Sequence, residues 1–322
     1  MKEFLSTFIR FLLFSAVFII VLVSISGELS PTKYLVKNLK YKTGATGHLN
    51  TRIKEVKKIS NVDILFLGSS HSYRGFDPRI FMASGLNSFN LGSSSQTHIQ
   101  TEVLLKRYLK KLNPKLIIYE VYPGAFSSDG IESGLDIISN DKNDFESIKM
   151  SIKLNHFFLY NTIIYAVYRD LFSRNIKTNE NKIINNDKYI SGGYVEKKLV
   201  FYTDNKAHMP TKLKINKGQL KAFKNNLSLI KSLDINYILV EAPITKSLYK
   251  SFTNKQEFNN EMLKHGTFLD YNLKLNDSLH FYDSHHLNQN GVKAFNIELI
   301  KYISKLNVPL KNSNIKIQKT LW

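Results

Sequence analysis

The sequence predicts an α/β fold: a three-layer α/β/α sandwich around a five-stranded parallel sheet, with an N-terminal transmembrane helix and a mostly helical insertion. Three observations predict it. Five short, β-rich apolar runs recur along the chain, longer amphipathic runs of helical period separate them, and the first 30 residues hold one uninterrupted apolar stretch. Strands that alternate with helices in this way form a parallel sheet covered on both faces.

The elements follow in chain order. "FLSTFIRFLLFSAVFIIVLVSIS", residues 4–26, carries Arg10 as its only charge and exceeds the roughly 20 residues that cross a hydrocarbon layer. Ser24 and Ser26 before Gly27 resemble a signal-peptide cleavage pattern, but the apolar run is longer than a signal core, so residues 1–30 read as an anchor. Lys2 and Arg10 favour an inside N-terminus, while Lys33, Lys37, Lys40 and Lys42 oppose it; the expectation is a globular part outside the cytoplasm. Residues 31–60, with Pro31, Gly44 and Gly47, read as a basic juxtamembrane linker.

The α/β domain is expected over 61–310. "VDILFLG", "SFNLG" and "KLIIYEVYP" read as strands, separated by the helices "PRIFMASG" and "THIQTEVLLKRYLKKL". From about 125 to 214 the alternation blurs into an insertion containing helical "SIKLNHFFLYNTIIYAVYRDLF" and an Asn- and Lys-rich stretch with Gly192 and Gly193. It resumes with the helix "KGQLKAFKNNLSLIKSL", the strand "NYILVEAP", helical "KSLYKSFTNKQEFNNEMLKHG", the strand "TFLDYN" and a last helix over 288–306. Residues 311–322 form a tail.

Composition narrows the function classes. With 322 residues, 43% hydrophobic and 22% charged, the chain is an ordinary globular one able to bury a large core. Forty-five Lys and Arg against 26 Asp and Glu give +19, which favours anionic partners, yet the lysines are dispersed and no nucleic-acid reader motif accompanies them. No nucleic-acid partner is expected. Cysteine is absent, which excludes disulfides, thiolate metal sites and a cysteine nucleophile. His71, His285 and Asp283 lack the helical two-histidine spacing of a metal site, so no metal and no cofactor are expected.

In a parallel sheet, ligand groups gather at the carboxyl ends of strands, and "FLGSSHS" stands at one. A serine hydroxyl needs a base, and the base works best against a carboxylate that fixes its tautomer. Ser70 follows a strand and Gly68, and "FYDSHHLNQNG" supplies Asp283 and His286 three residues apart. Each also has a plainer role: Ser70 as a turn or N-cap serine, Asp283 as a local cap, His286 as a surface imidazole, and His71 and His98 as loop or cap residues. His285 is the neighbour most easily confused with the base, and His286 is preferred because it alone has the three-residue spacing.

These blocks resemble the SGNH/GDSL hydrolase superfamily, especially its envelope-anchored branch, which includes proteins that acylate alginate and teichoic acid. "FLGSSHS", "FNLGSSS" and "DSHHLN" occur in the family's order between Asn61 and about Leu306. The resemblance implies a flavodoxin-like sheet, Ser70 as nucleophile, His286 as base, Asp283 as its partner, and an oxyanion hole from the N–H groups of Ser70 and Gly92. Ser69, His71, Tyr122 and Gly124 are expected to line the site. Two departures stand out: Ser69 replaces the acidic residue common before the serine, and "YEVYPG", Tyr119 to Gly124, lacks the asparagine that follows the family's third strand. A missing oxyanion donor costs on the order of 100-fold in turnover. The expected function is a membrane-anchored esterase or O-acyltransferase on a cell-surface glycan or acylated small molecule, served by a membrane acyl-donor protein. The alternative is an impaired member that binds glycan or assists assembly.

Overall fold

The computed structural model describes residues 1–29, 44, 47–172, 180–203, 207–306 and 308. Half of the predicted basic linker, including Lys33, Lys37, Lys40 and Lys42, and the whole C-terminal tail lie outside the described residues.

Helix α1 (Lys2–Leu29) holds an 18-residue stretch with a mean hydropathy of 2.7, and its 28 residues make it long enough to cross a membrane. Helix α2 (Leu49–Val56) then corrects the linker assignment: its Leu49, Ile53 and Val56 are buried in the main core. Those apolar positions recur at four and three residues, one helical face among polar neighbours. Strand β1 (Ile64–Leu67), helix α3 (Ser70–Gly75), helix α4 (Pro78–Ala83), strand β2 (Ser88–Asn90), helix α5 (His98–Leu112) and strand β3 (Leu116–Glu120) follow.

The insertion comprises α6 (Pro123–Ser127), α7 (Ile131–Asn140), α8 (Phe145–Leu154), α9 (Phe157–Leu171) and a three-stranded antiparallel sheet of β4 (Ile183–Ile184), β5 (Asp187–Ile190) and β6 (Tyr194–Lys197). The single helix expected over 151–172 is two, because Asn155 turns left-handed at φ 46° and His156 caps the next helix. The small sheet was not expected, although its turns are marked in the sequence. Asn185 and Asn186 both have positive φ between β4 and β5, as a two-residue hairpin turn requires, and in the three-residue loop from Ser191 to Gly193 both glycines have positive φ before β6. The domain closes with α10 (Lys217–Ser232), β7 (Asn236–Glu241), α11 (Lys246–Ser251), α12 (Lys255–Leu263), β8 (Phe268–Asp270), α13 (Asp277–His280) and α14 (Gln289–Ile303). Here too one expected helix, over 246–266, is divided, at Phe252–Asn254.

The main sheet is five-stranded in the order β2-β1-β3-β7-β8, and every neighbouring pair is parallel. Side chains alternate across it. Ile64 and Phe66 of β1, Leu116 and Ile118 of β3, and Ile238 and Val240 of β7 pack with Phe81 of α4 and Val292, Phe295 and Leu299 of α14. Leu65, Leu67, Ile117, Tyr119 and Leu239 face α5, α10 and the insertion. The chain runs from β1 outward to β2 and returns to β3 on the other side. The carboxyl ends of β1 and β3 therefore flank the point where strand order reverses, and a crevice opens there.

Candidate active site

The turn after β1 is built by three residues. Gly68 has φ 140°, a conformation side chains rarely adopt, and a Cβ there would lie 2.7 Å from Glu120 Cβ. Ser69 caps α3, its hydroxyl accepting from the His71 N–H at 3.4 Å. Ser70 thereby becomes the first helical residue, at the rim of a cavity of about 210 Å³.

Across the crevice, 282–286 forms a tight loop. Phe281 and Leu287, both buried, make an antiparallel bridge, and the Tyr282 N–H donates to the His286 carbonyl at 3.1 Å. Inside the loop, Asp283 Oδ1 accepts the N–H groups of His285 at 2.8 Å and His286 at 2.7 Å. Asn288 then caps α14 by accepting from the Gly291 N–H at 3.1 Å. The motif is thus a self-folded turn followed by a capped helix.

His286 Nδ1 is 3.0 Å from both Asp283 oxygens, and its Nε2 is 2.8 Å from Ser70 Oγ. An ionised carboxylate only accepts, so Asp283 requires the proton on Nδ1, and Nε2 is left to accept from the Ser70 hydroxyl. Two rings hold the imidazole: His71 stacks at 5.1 Å between centroids and Tyr282 at 5.5 Å. Burial pushes the Asp283 carboxyl up, but the His286 ring and the two loop N–H groups outweigh it and hold the group at about 2. A hydroxyl, an imidazole and a carboxylate in this order are the arrangement that generates an oxygen nucleophile at neutral pH.

The wall holds the other expected lining residues, Ser69, His71, Tyr122 and Gly124, together with His285. His71 is buried, which keeps its pKa well below the usual value; its ring stacks on Tyr122 at 4.0 Å, and its Nδ1 lies 3.2 Å from Ser69 Oγ. The Tyr122 hydroxyl lies 3.2 Å from His285 Nδ1. His98 sits apart, buried in the core at the start of α5 with its Nδ1 2.8 Å from the Tyr119 hydroxyl.

Gly92 differs from its expected role. Its N–H donates to Asn90 Oδ1 at 3.0 Å, and it is not among the residues lining the cavity. Asn90, fully buried, also accepts from the Ser72 hydroxyl at 3.1 Å and donates to the Ser72 carbonyl at 2.8 Å, so it ties the second block to α3. What Gly92 supplies is space: a Cβ there would stand 2.9 Å from the Gly68 carbonyl oxygen and 3.0 Å from that of Ser69.

Three participants escaped the sequence reading, and each carried a signal. Asn90 and Glu120 are polar residues inside apolar strand runs, and Tyr282 is the aromatic directly before Asp283. Glu120, at the end of β3, accepts from the Ser69 hydroxyl at 3.3 Å and the Ser69 N–H at 3.4 Å, while burial lifts its carboxyl to about 8.

No family model matches the chain, and no curated protein matches it. Among solved structures, the chain is similar to a crystal structure described as a "putative acylhydrolase" from Bacteroides fragilis, at 12% identity and a TM-score of 0.41, over 80% of this chain and 97% of that one.

Proposed function

We propose that the chain is a membrane-tethered serine esterase or O-acyltransferase acting on a cell-surface glycan, with an acyl-serine intermediate. The observation that carries this reading is the 2.8 Å approach of Ser70 Oγ to His286 Nε2, with Asp283 at 3.0 Å on the other ring nitrogen. Ser70 Oγ bonds to the ester carbonyl carbon as its proton passes to His286 Nε2. The carbon–oxygen bond to the leaving alcohol then breaks, and His286 returns the proton to that alcohol. Water, or a sugar hydroxyl, attacks the acyl-serine with His286 again taking the proton, and Ser70 leaves with it. Asp283 stabilises the imidazolium formed twice in this cycle.

With the Gly92 N–H engaged by Asn90, oxyanion stabilisation falls to the Ser70 N–H in the first turn of α3 and to the Tyr122 hydroxyl on the cavity wall. The tether is α1, and the absence of cysteine together with Lys2 before the apolar run and Arg10 near its start supports a domain outside the cytoplasm. A glycan acceptor rests on the envelope-branch resemblance of the three blocks.

The test is labelling by a serine-directed fluorophosphonate, with turnover of an activated acetyl ester, in wild type and Ser70→Ala. Labelling and turnover are expected in wild type alone; equal labelling of both proteins overturns the nucleophile. Because the Gly92 N–H is engaged and "YEVYPG" carries no asparagine, a second reading is a glycan-binding or assembly subunit. It predicts no turnover of any ester and saturable glycan binding that survives Ser70→Ala.

A further inference from the structure

The anchor helix does not leave the domain freely. Ser24 and Gly27 of α1 are buried, and Gly27 approaches Tyr165 of α9 so closely that a Cβ there would stand 2.0 Å from the ring. The last turns of α1 are therefore seated on the insertion, while its apolar side chains from Phe4 to Ile25 are exposed. The membrane boundary must fall close to α9.

The insertion exposes apolar side chains of its own. Phe145, Ile148 and Ile152 of α8 are 72%, 40% and 62% exposed, and their spacing of three and four residues puts them on one helical face. Exposed Lys149 edges that face, and Lys153 beside it is ion-paired to Glu102 at 2.7 Å. On α9, Phe157 and Leu171 are exposed and return to one side of the helix, and exposed Phe172 follows. Helices α8 and α9 pack on each other, and α1 packs on α9. Single exposed apolar residues are ordinary, but a stripe of them edged by lysine is the pattern of a helix lying in a membrane interface, with the lysine stems reaching out to the headgroups.

We propose that the outward face of α8 and the exposed ends of α9 rest in the headgroup–acyl boundary of the bilayer that α1 crosses. The occupant is lipid because the face is joined, through α9, to the helix long and apolar enough to enter the membrane, and because exposed Lys149 stands at its edge while Glu146 and Lys153 are neutralised by Lys106 and Glu102. The proposal rests on α1 being a membrane span and is independent of the chemistry at Ser70.

The test uses the full chain in phosphatidylcholine–phosphatidylglycerol vesicles, with the single native tryptophan removed as Trp322→Phe. One tryptophan is then introduced at a time, as Ile152→Trp on α8, Val17→Trp on α1 or Met82→Trp on α4, all exposed positions. Ile152→Trp is expected to emit at shorter wavelength and to lose intensity to acyl chains brominated near the headgroup, Val17→Trp to chains brominated deeper, and Met82→Trp only to aqueous acrylamide. If Ile152→Trp is quenched by acrylamide alone, the face is in water and the proposal falls. Shielding from both quenchers identifies a second copy or a partner protein as the occupant and also overturns it. Loss of lipid quenching at Val17→Trp removes the membrane span and the proposal together, whereas lipid quenching at Val17→Trp without Ile152→Trp removes the proposal alone. Phe145→Trp, on the same face, repeats the measurement should Ile152→Trp fail to fold.

Discussion

The loop after α13 and the end of β3 each hold a carboxylate close to the serine turn, and the two are treated in opposite ways. Asp283 sits in a turn whose own N–H groups point at it, takes the His286 ring as a third donor, and is held at about 2. Glu120 at the end of β3 is buried, receives two long contacts from Ser69 beside the Tyr122 N–H, and is lifted by burial to about 8. Glu241, one strand over, is raised by burial to about 7 although Lys255 and Asn272 contact it. The same functional group is thus an ion beside the imidazole and a neutral acid beneath the serine. Burial and donor supply decide together: Asp283, its side chain 44% exposed, is offset by three good donors, whereas the fully buried Glu120 and Glu241 stay raised even where good donors reach Glu241.

The sharpest way to break this comparison is Asp283→Asn. It keeps the shape of the turn but removes the charge and the acceptor that keep the Nδ1 proton in place. Turnover of an acetyl ester is expected to fall on the order of 1,000-fold or more, with little change in KM. A loss below about ten-fold would falsify the assignment of Asp283 as the partner of His286.

Behind the serine turn, Gly92→Ala pushes a Cβ against the Gly68 and Ser69 carbonyls and displaces the turn that presents Ser70. A misplacement near 1 Å costs about 100-fold in kcat. Retained activity with a normal fold would show that the turn yields. On the cavity wall, Tyr122→Phe deletes one hydroxyl and nothing else. Stopped turnover measurements should find kcat reduced on the order of 10- to 100-fold at similar KM; unchanged kcat removes Tyr122 from oxyanion stabilisation.

The smallest effect belongs to Glu120→Gln, which keeps a neutral group of the same shape and should leave activity near wild type. Its signature is in stability. The unfolded chain releases this proton near the ordinary 4.5 and the folded chain holds it to about 8, so in between the unfolded state binds fewer protons and stability falls as pH rises. Asp283 has the reverse sign: its contribution is present above the ordinary 3.8 and disappears as pH falls through about 2. Denaturant unfolding between pH 4 and 8 is expected to show a falling midpoint in wild type and a flatter profile in Glu120→Gln. Identical profiles would assign the slope to other groups.

Much of this was legible in the chain because it is local. Alternating side chains along β1, β3 and β7 sort themselves onto two faces from period alone, and α1 follows from one apolar run. The Asp283–His286 pair is legible for the same reason: contacts two and three residues apart depend on a few dihedral angles, and a turn between buried Phe281 and Leu287 sets them. The hairpins at Asn185–Asn186 and Gly192–Gly193 carried their signal as well, hidden in a stretch dominated by Asn and Lys.

Other features depended on residues far apart in the chain. Ser70 meets His286 across 216 positions. The Gly92 N–H turns to Asn90 instead of the cavity because Asn90 is held by Ser72. Helix α2 belongs to the core only because the insertion covers it, and Glu120 is a neutral acid only because β1 and β7 enclose β3. A residue's type states which bonds it can make and its neighbours in sequence state which turn it sits in, but burial is a sum over every element packed around it. The sequence by itself therefore determined the strands, the long apolar helix α1 and the acid–imidazole turn. Tertiary structure alone decided which donors remain for the oxyanion and which carboxylate carries the charge.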